Sequence, residues 1–414
     1  MICMNDIIKK KVLLLTNKFP YGIVETFIEA ELKAVPEDID LTIIPTQPHP
    51  VSDQGRPVPK SVKVDNALNN RPKYEYPIKA FQMMFSKVYR DEVQARKQRG
   101  KVTITDRIHL IGYFGRAKQI ADVVANKYGD EDIVLYSYWA TEASFAEKLI
   151  KLRKDCKSVT RAHRTDVYDG HCAYGTIPGQ REAFGGIDKV YVCSKDGRDY
   201  LQSKYPESRD KITYSYLGTK DYGFKKGDNR TEIFAIVSCS RLVPVKRVHL
   251  LAEALKSITD MKIHWIHIGD GAERDKVEEI VKTLPSNICV TFTGNMSHDN
   301  VMEYYWDHDV NLFVNVSESE GLPVSIMEVI SFGIPVIATD VGGTGEVVHQ
   351  SIGDLISRDF SLGELVTLIR KYMEMDTSTY QELRSKTRQF WEENYSATNN
   401  YKKFYHEIVD QNRK

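Results

Sequence analysis

The sequence lacks the features that mark several large classes of protein. Its 57 basic and 57 acidic side chains leave no net charge, so a dedicated nucleic-acid-binding protein, which is usually strongly basic, is not expected. The longest apolar runs, such as Ile233–Val237, fall far short of the roughly 20 residues of a membrane-spanning helix. The N-terminal residues show no apolar stretch followed by a small-residue cleavage site. We therefore expect a cytoplasmic protein.

Cysteine is sparse and unpaired in the sequence. None of the six cysteines lies in a C-x-x-C pair; they are Cys3, Cys156, Cys172, Cys193, Cys239 and Cys289. This scatter is typical of reduced thiols in a cytoplasm and provides no metal-ligand spacing. We expect neither a disulfide framework nor a bound metal ion.

The composition is that of an ordinary globular protein, spread over enough residues for two domains. Hydrophobic residues make up 42% and charged residues 28% of the 414, which is the range of folded proteins rather than disordered ones. A chain of this length is about two to three times as long as a typical domain.

Short apolar segments alternate with longer segments of helical periodicity. Five predicted strands lie in the first half of the chain, at Val12–Thr16, Leu41–Pro45, Ile133–Tyr136, Ser158–Arg161 and Lys189–Cys193. Five more lie in the second half, at Ile233–Ser238, Ile263–Ile268, Val290–Thr293, Val310–Val314 and Pro335–Ala338. Continuously apolar strands are buried on both faces, which requires parallel sheets covered by helices. The pattern predicts two doubly wound α/β domains.

The domain boundary is predicted in Leu217–Arg230, which is rich in Gly, Lys and Asp and lacks apolar periodicity. We place the first domain at residues 1–220 and the second at residues 225–395. A last helical stretch, Asn399–Val409, has no strand after it. Periodicity alone leaves open whether this helix closes the second domain or returns to the first.

One region, Lys79–Lys118, interrupts the alternation and carries ten basic against three acidic residues. Its large apolar residues include Phe81, Met83, Met84, Phe85 and Tyr89. Such a segment suits an anionic membrane surface or an anionic ligand. Alternatively, it is a solvated helical insertion whose apolar side joins the core. If it binds a membrane, we expect that binding to depend on Arg96, Lys97, Arg99 and Lys101.

The segment Asn315–Val348 holds the pattern that bears most directly on chemistry. Glu320 and Glu328 are eight residues apart and bracket a Gly-Leu-Pro turn and the start of a helix. The free amides near Gly321 form the positive end of a helix dipole, which suits an anion. The segment follows an apolar strand, at the sheet edge where α/β proteins bind ligands. Outside this setting, two such glutamates would be ordinary exposed charges.

Polar side chains follow three other predicted strands. After the first strand of the second domain, Arg241 offers a planar fork of donors and Lys246 a point charge, a pair that suits a diphosphate. After the first strand of the chain come Gly22 and Glu25, without the G-x-G-x-x-G of a dinucleotide oxidoreductase. After the fourth comes His163; a lone histidine there is more often a structural residue than a functional one.

Together these segments resemble the signature of the family 4 retaining glycosyltransferases, which have the GT-B fold of two Rossmann-like domains facing a cleft. Glu320-x7-Glu328 within SESEGLPVSIMEVISFGIPVIATDVGG resembles the family's paired-glutamate motif. Ser240 and Arg247 stand in place of the two glycines of a similar G-R-L-x-x-x-K-G element. The segment Arg161–Tyr168 resembles the R-A-H-x-x-D-x-Y pattern of the branch that works on exopolysaccharides and related surface glycans.

The resemblance implies transfer of a hexosyl group from a nucleotide sugar, which we expect to be UDP-linked, with retention at the anomeric carbon. The implied acceptor is a glycan or lipid-linked oligosaccharide of surface polysaccharide biosynthesis, at the inner face of the membrane. No metal cofactor is implied. The resemblance also implies that the C-terminal helix, residues 396–414, returns to the first domain.

The resemblance also implies roles for individual residues. Arg241 and Lys246 would stabilise the leaving diphosphate, and Glu320 would hold the hydroxyls of the donor sugar. The other implied donor-binding residues are Gly22, Asn295, Met296, Gly321, Leu322 and Glu328, the last of which would hold the ribose. His163 would face the donor sugar and its phosphate. Glu25 and Asp166 would lie on the acceptor side.

Two alternatives stay open. One is a nucleotide-sugar 2-epimerase of the same fold, which would need several acid and base residues at C2 of the sugar; the sequence shows no such set. The other is a catalytically silent relative that binds a sugar nucleotide or a partner protein. Intact Glu320, Glu328, Arg241 and Lys246 argue against this second alternative.

Overall fold

The computed structural model describes residues 9–410 except 23, 24, 26, 51, 73, 101, 172–174 and 225–229. Cys3, Cys172 and Lys101 therefore lie outside the described residues, as do residues 225–229 of the predicted boundary and 411–414 of the last helix. The chain divides into two compact units. Unit 1 comprises Met1–Tyr216 and Thr398–Lys414, and unit 2 comprises Leu217–Ala397.

Unit 1 is built on a seven-stranded parallel sheet of order β3-β2-β1-β4-β5-β6-β7. Its strands are β1 (Lys10–Thr16), β2 (Ile39–Pro45), β3 (Lys63–Val64), β4 (Ile133–Ser137), β5 (Lys157–Ala162), β6 (Lys189–Val192) and β7 (Ile212–Tyr214). Its helices are α1 (Ile28–Leu32), α2 (Glu75–Met84), α3 (Lys87–Arg99), α4 (Ile104–Lys127), α5 (Glu142–Lys151), α6 (Arg164–Val167), α7 (Gln180–Gly186) and α8 (Lys195–Lys204).

Unit 2 is built on a six-stranded parallel sheet of order β10-β9-β8-β11-β12-β13. Its strands are β8 (Phe234–Cys239), β9 (Ile263–Ile268), β10 (Ile288–Gly294), β11 (Leu312–Asn315), β12 (Val336–Thr339) and β13 (Gly353–Ile356). Its helices are α9 (His249–Leu255), α10 (Arg274–Val281), α11 (His298–Asp307), α12 (Val324–Ser331), α13 (Thr344–Val347), α14 (Leu362–Glu374) and α15 (Thr377–Asn394). The last helix, α16 (Ala397–Val409), belongs to unit 1 from Thr398 onward.

The strands form where apolar residues run without interruption, and the long helices begin at side-chain caps. Residues Val12–Leu15 of β1 are fully buried, as expected for a strand covered on both faces. Helix α4 begins with a capping box between Thr103 and Asp106, which satisfies two backbone N–H groups at the helix start. Ser361 and Glu364 form the same box at α14.

All ten predicted strands are confirmed, with ends that differ by no more than two residues. The sequence analysis missed β3, β7 and β13. Each has two to four residues and lies at the edge of its sheet, where one side is unpaired. A segment this short is too small for its apolar pattern to be distinguished from a loop.

Each sheet has one point where the direction of winding reverses. In unit 1 the chain moves outward from β1 to β3 and then returns to β4 beside β1; in unit 2 it moves from β8 to β10 and returns to β11 beside β8. The loops after β1 and β4, and after β8 and β11, therefore diverge and leave a crevice. Open α/β sheets bind ligands at this switch point, outside the carboxyl ends of the strands.

The basic region Lys79–Lys118 forms most of α2, α3 and α4. The inner face of α4 joins the core of unit 1 through residues such as Leu110 and Phe114. In this respect the region is a helical insertion packed on the core. No helix in the described part of the chain has both the length and the apolar content for crossing a membrane.

Candidate functional site

One predicted cation, Lys246, and one predicted carboxylate, Glu320, form an ion pair at the switch point of unit 2. Lys246 follows β8 and Glu320 follows β11, and the Nζ of Lys246 lies 2.5 Å from Oε1 of Glu320. Asn315, the last residue of β11, donates from Nδ2 to the same oxygen at 3.3 Å. Glu320 is buried, with 9% of its side chain exposed. The fold thus holds a largely buried ion pair where a ligand is expected.

The loop after β8 keeps its shape although arginine replaces the expected second glycine. Arg247 adopts φ of +48°, the left-handed region that glycine favours. Its guanidinium donates to the carbonyl oxygens of Val316 and Arg358, each at 2.9 Å. Arg247 therefore ties the β8 loop to the β11 loop that carries Glu320. Arg241 is exposed and forms no ion pair within the described residues.

A glycine turn after β12 packs closely against the backbone of Glu320. Gly342 has φ of +54°, and a Cβ there would lie 2.1 Å from the carbonyl oxygen of Glu320. The N–H of Gly343 donates to the carbonyl of Gly321 at 2.8 Å. Gly321 and Leu322 are buried and lead into α12. Only glycine allows this close approach of the two backbones.

The second glutamate, Glu328, points towards the start of α11. Its Oε1 lies 2.8 Å from Nε2 of His298, which lies two residues after Met296 of the predicted base-site pair Asn295 and Met296. The pKa of the Cys239 thiol, at the end of β8, rises to about 12 through burial and the nearby Glu328 charge. The structure therefore brings Glu328 and the β10–α11 turn together through a histidine that the sequence analysis missed.

We expect His298→Ala to lower the KM for a nucleotide-sugar donor by up to about fivefold, with kcat unchanged. The His298 imidazole contacts Oε1 of Glu328, and a ribose diol would need both carboxylate oxygens of that glutamate. Breaking a partly exposed pair of this kind costs up to about 1 kcal/mol. Steady-state kinetics with varied donor would measure this change. His308→Ala, at the other end of α11, is the matched control. A raised KM would show instead that His298 itself binds the donor.

In unit 1, Gly22 lies in the loop after β1 with φ of +70°, and its N–H donates to Oδ2 of Asp53 at 3.1 Å. A Cβ at Gly22 would meet only Lys18, at 4.0 Å. The position therefore needs glycine for its backbone conformation rather than for space. Gly22 remains a predicted donor contact.

The structure gives Glu25 a clear structural role, while its place on the acceptor side stays a prediction. Its carboxylate accepts from the backbone N–H groups of Asn17, Lys18 and Phe19 at 2.8–3.0 Å. The indole N–H of Trp139 donates to Oε1 at 2.7 Å, and Glu25 is only 2% exposed. With four donors on its two oxygens, Glu25 is a positioning residue that joins the loop after β1 to the loop after β4.

We expect Glu25→Gln to lower the free energy of unfolding by about 1–3 kcal/mol, because an amide nitrogen would face buried N–H donors. The rearranged loop should also change the fluorescence of Trp139. Thermal denaturation and emission spectra would measure both effects. Glu29→Gln, in α1 and partly exposed, is the control. Normal stability and emission, together with weaker acceptor binding, would show that Glu25 contacts the acceptor directly instead of positioning the loops.

His163 and Asp166 also face inward. Nε2 of His163 lies 3.1 Å from the carbonyl oxygen of Tyr138, which places the ring proton on Nε2. Burial, with a contribution from the Arg161 charge, lowers the pKa of His163 to about 3. The ring is therefore neutral at physiological pH. That His163 faces the donor sugar and its phosphate stays a prediction, and a neutral ring would do so without a positive charge.

The carboxylate of Asp166 ties the loop after β5 to the loop after β4. It accepts from the backbone N–H groups of His163 and Ala140, each at 2.6 Å. Burial nevertheless raises the pKa of Asp166 to about 7. Trp139 packs against the His163 ring at 4.8 Å between centroids, so Glu25, Trp139, His163 and Asp166 form one cluster at the switch point of unit 1. Asp166 is 1% exposed and shapes this cluster from within.

No group of three His, Cys, Asp or Glu side chains suited to a metal ion is found among the described residues. In unit 2 the structure brings Lys246 and Glu320 into contact; Arg241 and Glu328 stay predicted members of the same site.

Residues 220–390 match the family described as "Glycosyl transferases group 1". Among curated proteins, the chain is 26% identical over 205 residues to the O-antigen biosynthesis glycosyltransferase WclY of Escherichia coli, covering 46% of this chain and 55% of that protein. The chain spans from about a quarter to about two thirds of the length of the first curated relatives it matches.

Solved structures resemble nearly the whole chain. The lipopolysaccharide outer core galactosyltransferase WaaB, in its apo form, aligns with a TM-score of 0.67 at 14% identity, covering 96% of this chain and 99% of that one. Anabaena Alr3699/HepE in complex with UDP aligns with a TM-score of 0.63 at 16% identity, covering 96% and 99%. At this identity the likeness concerns the fold, and it confirms the predicted fold class, two Rossmann-like α/β domains of the GT-B type.

Proposed function

We propose that this chain, whose residues 220–390 belong to the glycosyl transferases group 1 family, is a retaining glycosyltransferase that takes a hexosyl group from a UDP-sugar. The acceptor in this proposal is a glycan or lipid-linked oligosaccharide of surface polysaccharide biosynthesis. The name of WclY, which refers to O-antigen biosynthesis, supports this acceptor class. The UDP bound to the Anabaena protein supports the nucleotide.

The observation that carries the proposal is the Lys246–Glu320 pair at the β8–β11 switch point. In the proposed reaction, the bond between the anomeric carbon and the phosphate oxygen breaks, and its electron pair leaves with the diphosphate. Arg241 and Lys246 would stabilise that growing negative charge. Electrostatic stabilisation of this kind is usually the largest single contribution to catalysis. We propose that these two cations supply the charge neutralisation without a divalent metal.

The two glutamates would divide the donor between them. Glu320, buried and held by Lys246 and Asn315, would accept hydrogen bonds from the hydroxyls of the sugar. Glu328 would accept both ribose hydroxyls once His298 moves away from Oε1. Asn295 and Met296, on the turn before His298, would then border the base. The N–H groups near Gly321 and Leu322 would add donors at the start of α12.

The acceptor hydroxyl oxygen forms the new bond to the anomeric carbon, on the face that the diphosphate leaves. In this proposal its proton passes to the departing phosphate oxygen, so no protein base is required. Unit 1 supplies the acceptor side through the loops that Glu25 and Asp166 hold in place. Those two residues act by positioning, because their oxygens are already occupied by backbone donors.

The test is nucleotide release from a panel of nucleotide sugars, with EDTA present and surface-glycan oligosaccharides as acceptors. We expect acceptor-dependent release of UDP from one UDP-sugar, and a product with the anomeric configuration of the donor by NMR. Inversion would contradict the retaining step. Binding of the donor without any turnover would favour the catalytically silent relative.

A further inference from the structure

The outer face of α2 carries an apolar stripe that nothing in the described part of the chain covers. Tyr74, Ile78, Phe81 and Phe85 follow one another at spacings of four, three and four, so they lie on one side of the helix. Phe81 is 61% and Phe85 60% exposed, and their rings touch edge to face at 5.1 Å. Large aromatic side chains exposed in a row mark an interaction surface.

The opposite face of α2 is fixed to the rest of unit 1, so the stripe is held on a rigid support. Ala80 and Met83 are buried. A Cβ at Gly115 of α4 would lie 2.7 Å from the Cα of Ala80, which shows how closely the two helices approach. Helix α2 therefore cannot turn its apolar stripe inward without losing this contact.

A cavity of about 480 Å³ opens where the stripe ends. Its lining begins at Met83 and Ser86, on either side of Phe85 in the chain. Four cations line it: Lys87, Lys118, Lys148 and Arg153. Two carboxylates, Asp91 and Glu182, also line it, so the lining carries two more positive than negative charges. Apolar side chains such as Phe145 and Leu149 complete the lining.

The cations beside this cavity exceed the carboxylates available to them. Lys79, Lys118 and Arg153 converge on the single carboxylate of Asp122 at 2.5–2.8 Å. Although burial opposes it, hydrogen bonds from these cations lower the pKa of Asp122 to about 2. One carboxylate cannot neutralise three cations, so the cluster keeps an excess of positive charge for an external anion.

We propose that the α2 stripe and its adjoining basic cavity form a docking surface for a bilayer that contains anionic phospholipids. The rings of Phe81 and Phe85 insert at the boundary between the lipid headgroups and the acyl chains, and the cations of the cavity bind lipid phosphates. An apolar stripe flanked by cations is the pattern of a helix that lies in a membrane interface. This surface lies wholly in unit 1, and its binding does not depend on glycosyl transfer.

The cations in this surface differ from those expected from the sequence. Arg96 is only 9% exposed in its side chain and bonds to Glu92, so it supports the fold instead of facing outward. Lys97 and Arg99 are exposed, and Lys101 lies outside the described residues. The surface therefore depends on cations that α4 and α5 bring together, with Lys87 at the start of α3.

Co-sedimentation of the full chain with phosphatidylcholine vesicles, with and without phosphatidylglycerol, tests the proposal. The wild type should bind the anionic vesicles, and salt should weaken that binding. Phe81→Ser/Phe85→Ser should weaken binding by at least about tenfold. Lys87→Gln/Arg153→Gln should weaken binding to the anionic vesicles by about 25-fold, since each cation near such a surface is worth roughly a factor of five.

The matched controls are Leu362→Ser and Lys386→Gln, exposed side chains of unit 2, which should bind as the wild type does. Unchanged melting temperatures would show that every variant is folded. The proposal is overturned if the wild type does not bind anionic vesicles, or if both double variants bind them as strongly as the wild type does. It is equally overturned if the wild type instead self-associates through Phe81 and Phe85.

Discussion

Glu320→Gln is expected to lower kcat/KM about 100- to 1000-fold, the usual effect of removing one preorganised group from a reacting centre. The substitution keeps the size of the side chain but removes the charge that holds Lys246 at 2.5 Å. Glutamine would also present an amide nitrogen to Lys246 or Asn315. Initial rates of UDP release, with donor and acceptor varied in turn, would measure the effect.

Glu318→Gln is the matched control, because Glu318 lies two residues away, is half-exposed and pairs with Arg358. We expect it to retain full activity. Lys246→Met should lower kcat/KM about as much as Glu320→Gln does. The double variant should lose little more than either single variant, because the effects of substituting two residues in direct contact are not additive. Additive losses would show that the two residues act separately, and an active Glu320→Gln would refute the site.

Arg161→Met is expected to lower the free energy of unfolding of unit 1 by about 3–5 kcal/mol, the cost of breaking a buried charge network. Arg161 is fully buried, donates to the hydroxyl of Tyr136 at 3.0 Å and lies over the ring of Phe404 at 4.1 Å. Tyr405, the next residue of α16, donates to the buried Glu31 at 3.1 Å. The network therefore fastens α16 to the sheet of unit 1.

The loss should depend on pH with a definite sign. Burial raises the pKa of Glu31 above its ordinary value of 4.5, although the Arg161 charge opposes this. Without Arg161 that pKa rises further, and a raised acid pKa means stability that is complete below the unfolded pKa and is lost as pH rises. Thermal denaturation should thus show a melting temperature lower by roughly 10 °C at pH 8, with a smaller difference at pH 5.

Arg198→Met, on the surface of α8 beside Asp199, controls for loss of an arginine and should leave the melting temperature nearly unchanged. Arg161→Met/Glu31→Gln should recover part of the loss, since no buried charge is then left unpaired. If Arg161→Met unfolds at the wild-type temperature at both pH values, the network does not hold α16 in place.

The sequence alone predicts much of the fold because burial on both faces leaves an unmistakable pattern. Strands such as Val12–Leu15 are apolar at every position, which only a covered parallel sheet explains. Lys246 and Glu320 could also be predicted as ligand-facing residues, since each follows an apolar strand of the second domain, whereas their contact follows from the observed strand order. The edge strands β3 and β13 could not be predicted, because strands of two and four residues are too short to show a periodic apolar pattern.

Side-chain direction is what the sequence could not give. Glu25 and His163 stand in loops after strands, as ligand-binding residues do, yet both turn inward and bond to the backbone. His298 was missed because its role depends on the distance between α11 and α12, which no local motif encodes. Likewise, Gly342 reaches Glu320 only once β12 lies beside β11.

Thermal denaturation with UDP, in the presence of EDTA, tests most directly whether the β8–β11 crevice is a nucleotide-sugar site. We predict stabilisation that grows with UDP concentration, worth about 2.7 kcal/mol at a hundredfold excess over Kd. The stabilisation should be lost in Lys246→Met and kept in Lys256→Met, a surface control on α9's C-terminal side. If neither UDP nor any other nucleotide or nucleotide sugar shifts the wild type, or if Lys246→Met is stabilised equally, the site is placed wrongly.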